Sequence, residues 1–212
     1  MIKTDFKKVD KALYTGKVGR FDLIEVPQQS YLMIDGVGNP GTVPAYGRAL
    51  AALYGLSYGL KFHGKPKGLD HVVGPLEGLW WADDMSSFTS RKKDQWQWTM
   101  MIRQPEWVTA ADMAQVLENV VAKTAKKRDA TTDEATLRQV RLEGLCEGLV
   151  VQVLHIGSYD EEGPVLAEMH NRFIPENGLA MRGLHHEIYL GDPRKVAPEK
   201  LKTILRQPVS QT

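Results

Sequence analysis

At 212 residues, with 27 Lys and Arg against 26 Asp and Glu and a net charge of +1, the chain has no field strong enough to gather nucleic acid or an acidic membrane surface. Hydrophobic residues make up 42% and charged residues 25%, the balance of an ordinary globular domain long enough for one good core or two small modules. The single cysteine, Cys146, excludes an internal disulfide and completes no zinc site. No run could span a bilayer or serve as a signal peptide, so a cytoplasmic protein without direct nucleic-acid or membrane partners is expected.

In chain order, residues 1–20 are polar ("MIKTDFKKVDKALY…") and read as a loosely packed lead-in to a domain over 21–212. "FDLIEVP" (21–27) and "QSYLMIDGVG" (29–38) have strand-like apolar content and end at "GNPGTVP". Pro44 suits a first helical turn. Leu50, Tyr54 and Tyr58 at four-residue spacing, with Leu53 and Ser57 alongside, predict a helix over 44–62. "PLEGLWWA" (75–82) and "QWQWTMMIRQP" (95–105) read as strands around a polar loop, "DDMSSFTSRKKD". Thr109 with Asp112 makes a capping box. It opens a helix to about 126 whose apolar stripe is Met113, Val116, Leu117, Val120 and Val121. The basic runs "RKK" (91–93) and "KTAKKRD" (123–129) read as a solvated loop and helix end. "RDATTDEATLRQ" (128–139) reads as a linker with room for one helical turn.

The second half follows the same order. "GLVVQVLHIG" (148–157) is a strand. "SYDEEGPVLAEMHNRFIPENG" (158–178) is a helix with Leu166, Met169 and Phe173 on its apolar face, stopped by Asn177-Gly178. "GLHHEIYLGDP" is a strand ending in a turn, "PEKLK" a single turn and "TILRQPV" a final strand. Each half, about 21–128 and 139–212, thus reads strand, helix, strand, strand. The expected fold is α+β: tandem β-α-β-β modules with antiparallel sheet and a ligand groove between the two halves.

Nucleotide-binding loops, H-E-x-x-H and the G-x-S-x-G elbow are absent, and no cofactor is implied. His185 and His186 are adjacent on a strand, face opposite sides and cannot share a metal, so no metal site is expected. What remains is a set of aromatic residues and one carboxylate. In "HHEIYL" (185–190), alternation puts His185, Glu187 and Tyr189 on one face and His186, Ile188 and Leu190 on the other. The first face is either solvated, leaving Glu187 an ordinary strand carboxylate, or it lines a cavity. Trp80 and Trp81 alternate, so one of them faces inward. Trp98, Tyr46, Tyr54, Tyr58 and Tyr159 add flat rings with polar edges, suited to planar hydrophobic or cationic ligands. In such surroundings desolvation raises a carboxyl pKa and makes Glu187 a plausible general base.

The stretches "PLEGLWWADD", "WQWTMMIRQPEWVT", "VQVLHIGSYDEEGP" and "HHEIYLGDPRKVAPEKLKTILRQPV" resemble the stand-alone GyrI-like small-molecule-binding proteins over essentially the whole chain. The resemblance implies the tandem β-α-β-β fold, the module also used by DNA gyrase inhibitor proteins and multidrug-sensing regulators. A lead-in of about twenty residues is too short for a helix-turn-helix pair and argues against a regulator. The family's central pocket carboxylate carries over to Glu187 and its tyrosine to Tyr189. Some stand-alone members are cyclopropanoid hydrolases, which open the strained ring of DNA-alkylating compounds with water. By that resemblance Glu187 orients or deprotonates the water, a tyrosine hydroxyl binds the carbonyl, and tryptophans hold the ring system. Three readings stay open: a hydrolase, a module that only binds planar or cationic compounds, and a gyrase-interacting protein.

Overall fold

Pro27 has no N–H to give to a ladder, and it separates two strands that do not pair with each other. The computed structural model describes residues 3–84, 86–127 and 131–212, so Met85 of the expected polar loop, Arg128 and Asp129 of the basic run and the first three residues of the linker at 128–139 lie outside the described residues. The chain is α+β. Nine strands are present among the described residues: β1 (Asp22–Val26), β2 (Gln29–Val37), β3 (Leu76–Trp81), β4 (Gln97–Gln104), β5 (Arg141–Leu145), β6 (Gly148–Ile156), β7 (Leu179–Met181), β8 (His185–Tyr189) and β9 (Lys202–Gln211). They divide between two compact units. One comprises the chain up to Val9, Gln29–Gly74 and Ala82–Leu145; the other comprises Asp10–Gln28, Pro75–Trp81 and Cys146–Thr212. The sequence halves and the compact units are therefore different divisions of the chain. β1 and β3, from the first half, pair in the second unit with β6 and β8. Strands β5 and β7, unforeseen from the sequence, are short pieces; β5 lies just beyond the linker and flanks β2.

In the first unit β2 lies between β4 and β5, antiparallel to both. Leu32 faces Ile102 and Ile34 faces Met100, all fully buried. Further along, Gly36 faces Trp98, where a Cβ would meet the indole ring at 2.0 Å; the glycine makes room for that ring. The helix Pro44–Gly64 starts at its proline and buries Leu53 and Ser57, as expected, but the rest of its stripe lies to the other side of them. Ala49, Ala52, Leu53, Leu56 and Leu60 are inside, whereas Leu50 and Tyr54 are half-buried and Tyr58 is exposed. The reason is small residues. A Cβ at Gly59 would lie 2.5 Å from Val116, so the helix approaches the helix Ala110–Thr124 along its alanine and glycine side. The Thr109–Asp112 capping box is formed, and Met113 and Val116 are buried. The linker contains a real helix, Glu134–Gln139, capped by Asp133, with Leu137 fully buried.

In the second unit the order is β1-β6-β9-β8-β3, all antiparallel, with β7 on the far end of β9. Val151, Val153, Leu205 and Val209 on one face pack with Met169, Ile174 and Leu179. Each such side chain contributes roughly 1.5–3 kcal/mol through burial. The expected helix at 158–178 is not uniform. It runs as a turn at Tyr159–Glu161, an α-helix at Gly163–Glu168, a π-turn at Met169–Phe173 and a last helical turn to Glu176. Ile174 N–H reaches back five residues to Met169 O. Pro175 follows directly and has no N–H, so the regular ladder cannot continue through it.

The opposite face of this sheet carries a buried polar network. His186, fully buried, stands 3.0 Å from Glu147 Oε1 through Nδ1 and 3.0 Å from Glu77 Oε2 through Nε2. To donate to both carboxylates it must be an imidazolium. Arg206 Nη1 donates to Glu147 Oε2 at 2.9 Å, and its Nη2 donates to Leu13 O at 2.8 Å and to Gln152 Oε1 at 3.1 Å. Two cations balance two carboxylates, which makes burial of all four tolerable. The lead-in is thus not loosely packed. Gln152 Nε2 donates to Ala12 O and Thr15 O, Tyr14 donates to Glu77 Oε1 at 3.3 Å, and Leu13 and Tyr14 are buried. Its apolar residues alternate too sparsely to mark a packed segment; backbone carbonyls capture it instead. Further upstream, in the first unit, Phe6 is buried with Arg103 stacked 4.3 Å over its ring. No described helix is long and apolar enough to cross a membrane.

Burial alone would raise the Glu147 carboxyl, but the charge and hydrogen bond of His186, then Arg206, outweigh it and hold the group at about 2. Burial would lower His186, but Glu147 and Glu77 raise it above the ordinary histidine value. The carboxylate contribution to stability is present above the unfolded carboxyl value and is lost as pH falls toward 2. The histidine contribution is complete below the unfolded value near 6.5 and is lost as pH rises through the higher folded value. His186→Phe leaves two buried carboxylates facing one arginine. It should lower the unfolding free energy by about 3–5 kcal/mol, read from the urea midpoint at pH 6. An unchanged midpoint would contradict the charge-balanced network.

Candidate functional site

Strand β8 sends alternate side chains to the two faces of its sheet, so the residues on either side of His186 emerge on the helix-covered face. Register sets their neighbours on β3: Trp80 lies opposite His185, Gly78 opposite Glu187 and Leu76 opposite Tyr189. A glycine opposite the glutamate leaves no side chain against it on that strand. On its other side Glu187 pairs with Leu205 of β9.

Three side chains form a directed chain. Trp80 Nε1–H donates to Tyr189 Oη at 2.9 Å, and Tyr189 O–H donates to Glu187 Oε2 at 2.7 Å. The other carboxylate oxygen, Oε1, lies 3.4 Å from His185 Nε2, within reach of an ion pair but longer than a good hydrogen bond. The Glu187 side chain keeps 13% of its exposure and that of His185 10%, so the carboxylate is largely shielded from water. Trp80 is 6% exposed. Tyr159, at the start of the turn closed by the Ser158–Glu161 capping box, sets its ring edge-on to Tyr189 with centroids 5.5 Å apart. Partial burial, then the charges of Glu162, Glu187 and Asp192, push its phenol up to about 12.

Of the residues singled out in the sequence, Trp80, Tyr159, His185, Glu187 and Tyr189 are therefore gathered in the second unit. Trp80 rather than Trp81 shares the face of Glu187; Trp81, one residue on, points to the other side. Tyr46, Tyr54, Tyr58 and Trp98 belong to the first unit. Trp98 is 1% exposed, donates its indole N–H to Gly38 O at 3.3 Å and packs edge-on against Tyr46. Tyr58 is 48% exposed and stacks on the still more exposed Phe62.

The sequence reading missed two residues of the site face, His170 and Thr203. Thr203, fully buried, pairs with Tyr189 across β9 and β8, and its hydroxyl has no hydrogen-bond partner among the described residues. His170 sits in the π-turn with its ring edge-on to His185, centroids 6.1 Å apart. The signal for His170 was Pro175, which breaks a regular helix within a turn of it; Thr203 carried no signal beyond its place in an apolar strand.

A shielded carboxylate tied to aromatic side chains, on a sheet face covered by one helix, is the arrangement of a small-molecule-binding α+β protein. Residues 20–210 match the GyrI-like small molecule binding domain, and the chain belongs to that family. Similar solved structures come from Listeria innocua. One is an uncharacterized conserved protein, 39% identical, with a TM-score of 0.86 over 98% of this chain and 100% of that one. Another is a hydrolase, 38% identical, with a TM-score of 0.83 over 98% and 100%. A hydrolase encoded by lin2189 is 39% identical, with a TM-score of 0.85 over 99% and 100%. No curated protein matches the chain.

Because the Tyr159 phenol is held near 12, it should remain neutral at pH 10, where an unperturbed phenol is half ionised. Phenolate absorbance of the wild type and of Tyr159→Phe should therefore coincide at pH 10 and separate only toward pH 12. A wild-type excess at pH 10 would contradict the acidic, partly buried surroundings assigned to this ring.

Proposed function

We propose that this protein is a hydrolase that opens strained cyclopropane rings in planar, electrophilic, DNA-alkylating compounds and so protects the cell. The observation that carries the reading is the Trp80–Tyr189–Glu187 chain, which ends on a carboxylate shielded from water. Two solved structures of hydrolases from Listeria innocua, 38% and 39% identical over essentially the full chain, support it.

Tyr189 commits its proton to Glu187 Oε2, and Trp80 fixes Tyr189, so the carboxylate is oriented before substrate arrives. Oε1 then takes a proton from a water molecule as that water attacks the ring methylene. A C–O bond forms, the strained C–C bond breaks, and its electron pair moves through the conjugated system to the carbonyl oxygen. That oxygen becomes an aryloxide and takes up a proton, so the sum is the addition of one water. Tyr159, edge-on to Tyr189, offers a phenol O–H that can donate to the developing oxyanion. The exposed ring of Tyr159 supplies flat apolar surface for the ring system.

A second reading has an observation of its own. Glu162, Glu187 and Asp192 all act on Tyr159, and three carboxylates around aromatic rings favour a bound lipophilic cation without turnover.

Incubation with a cyclopropane-bearing alkylator, followed by mass analysis for the water adduct, separates the two. The hydrolase reading expects the adduct from wild type. In Glu187→Gln, kcat should fall about 10²–10⁴-fold while planar neutral ligands still quench tryptophan fluorescence. Wild type that forms no adduct, yet binds cations more tightly than neutral isosteres and loses that preference in Glu187→Gln, would establish binding alone.

A further inference from the structure

Resting on the hydrolase reading, we infer that His185 and His170 form a proton path that carries the proton taken up by Glu187 out to solvent. Glu187 Oε2 is occupied by Tyr189, which leaves Oε1 as the atom that receives a proton from water. The nearest titratable nitrogen to Oε1 is His185 Nε2 at 3.4 Å. Beyond it stands His170, its ring edge-on to that of His185 with centroids 6.1 Å apart. His170 lies in the π-turn and is half-buried, so it connects the enclosed carboxylate with the surface.

The hydrogen-bond inventory along this line is unusual. His185 Nδ1, His185 Nε2 and His170 Nε2 are all buried, and none has a hydrogen-bond partner among the described residues. Buried polar nitrogens are ordinarily satisfied, because each one left unpaired costs about 1–3 kcal/mol. Three in a row, beginning beside a carboxylate, mark positions for water and mobile protons rather than packing. The contrast with His186, one residue away, is direct: both of its nitrogens are bonded to carboxylates and its proton is locked. Burial, then the neighbouring His185, lowers His170 to about 4, so it rests as a neutral imidazole able to accept a proton and pass it on.

The step balances. The water proton moves to Oε1 and then to His185 Nε2. His185 releases a proton from Nδ1 toward His170, and His170 delivers one to solvent while the aryloxide oxygen takes one up. No oxidant, reductant or co-reactant is needed.

The test is turnover of a cyclopropane-bearing alkylator by wild type, His170→Gln and His185→Gln, each with and without added imidazole, with thermal unfolding measured alongside. The expected result is a kcat at least about 10-fold lower in both variants, smaller than the loss on removing the base itself, with KM unchanged and imidazole restoring much of the rate. Wild type should ignore imidazole. Should His185→Gln fail to fold, the half-buried His170→Gln decides. Variants that turn over at the wild-type rate, or that raise KM alone, overturn the path and leave the hydrolase reading standing. Wild type that forms no water adduct overturns both.

Discussion

The ion pairs of His186 fix where everything else on its strand can point. β8 is five residues long, and a strand that short could slip by one position at modest cost in backbone hydrogen bonds. It does not slip because His186 is bonded on one side to Glu77 of β3 and on the other to Glu147, while Arg206 of β9 closes the circuit. A slip of one residue would bring His185 or Glu187 into that place and leave unbalanced charge in a dry interior, a far larger penalty than any lost ladder bond. The network therefore sets the register, and the register sets Glu187.

The two faces of β8 treat the same kinds of side chain in opposite ways. On one face histidine, glutamate and arginine are satisfied completely, and the result is rigid. On the other, Glu187 is held by a single strong hydrogen bond, and the histidines beside it keep nitrogens without a hydrogen-bond partner among the described residues. A binding or catalytic site needs that incompleteness, because groups already saturated by the protein have nothing left for a ligand or a proton. The saturated face supplies the stiffness that lets the unsaturated face stay incomplete without collapsing.

Much of this was legible in the sequence, and what was not has physical causes. The α+β class, most of the strands and the Thr109–Asp112 cap follow from periodicity and local hydrogen bonding, which depend on neighbours in the chain. Alternation alone put Glu187 beside Tyr189. It could not choose between Trp80 and Trp81, since that depends on which residue of β3 lands opposite His185. Nor could it show that His186 is buried. A histidine in a strand looks the same whether water or two carboxylates surround it, and Glu77 and Glu147 stand 109 and 39 residues away. The packing of the polar lead-in is invisible in the sequence for a related reason: it is held by its backbone carbonyls, which every residue has and no side-chain pattern reveals.

The exchange of strands has a consequence for how the chain comes into being. β2, β4 and β5 all precede Cys146, so the sheet of the first unit can assemble while the later chain is still being made. The second unit has no such early start. Its central strand is β9, which follows every other strand, and β6 and β8 are joined into one sheet only when β9 arrives between them. β1, translated long before, has no partner until β6 is made, and Leu13 meets Arg206 across 193 residues of chain. Contacts of such long range form slowly. The half of the molecule that holds Glu187 is thus the last to be completed, and during synthesis it is the half most open to capture by chaperones or by like strands of another copy.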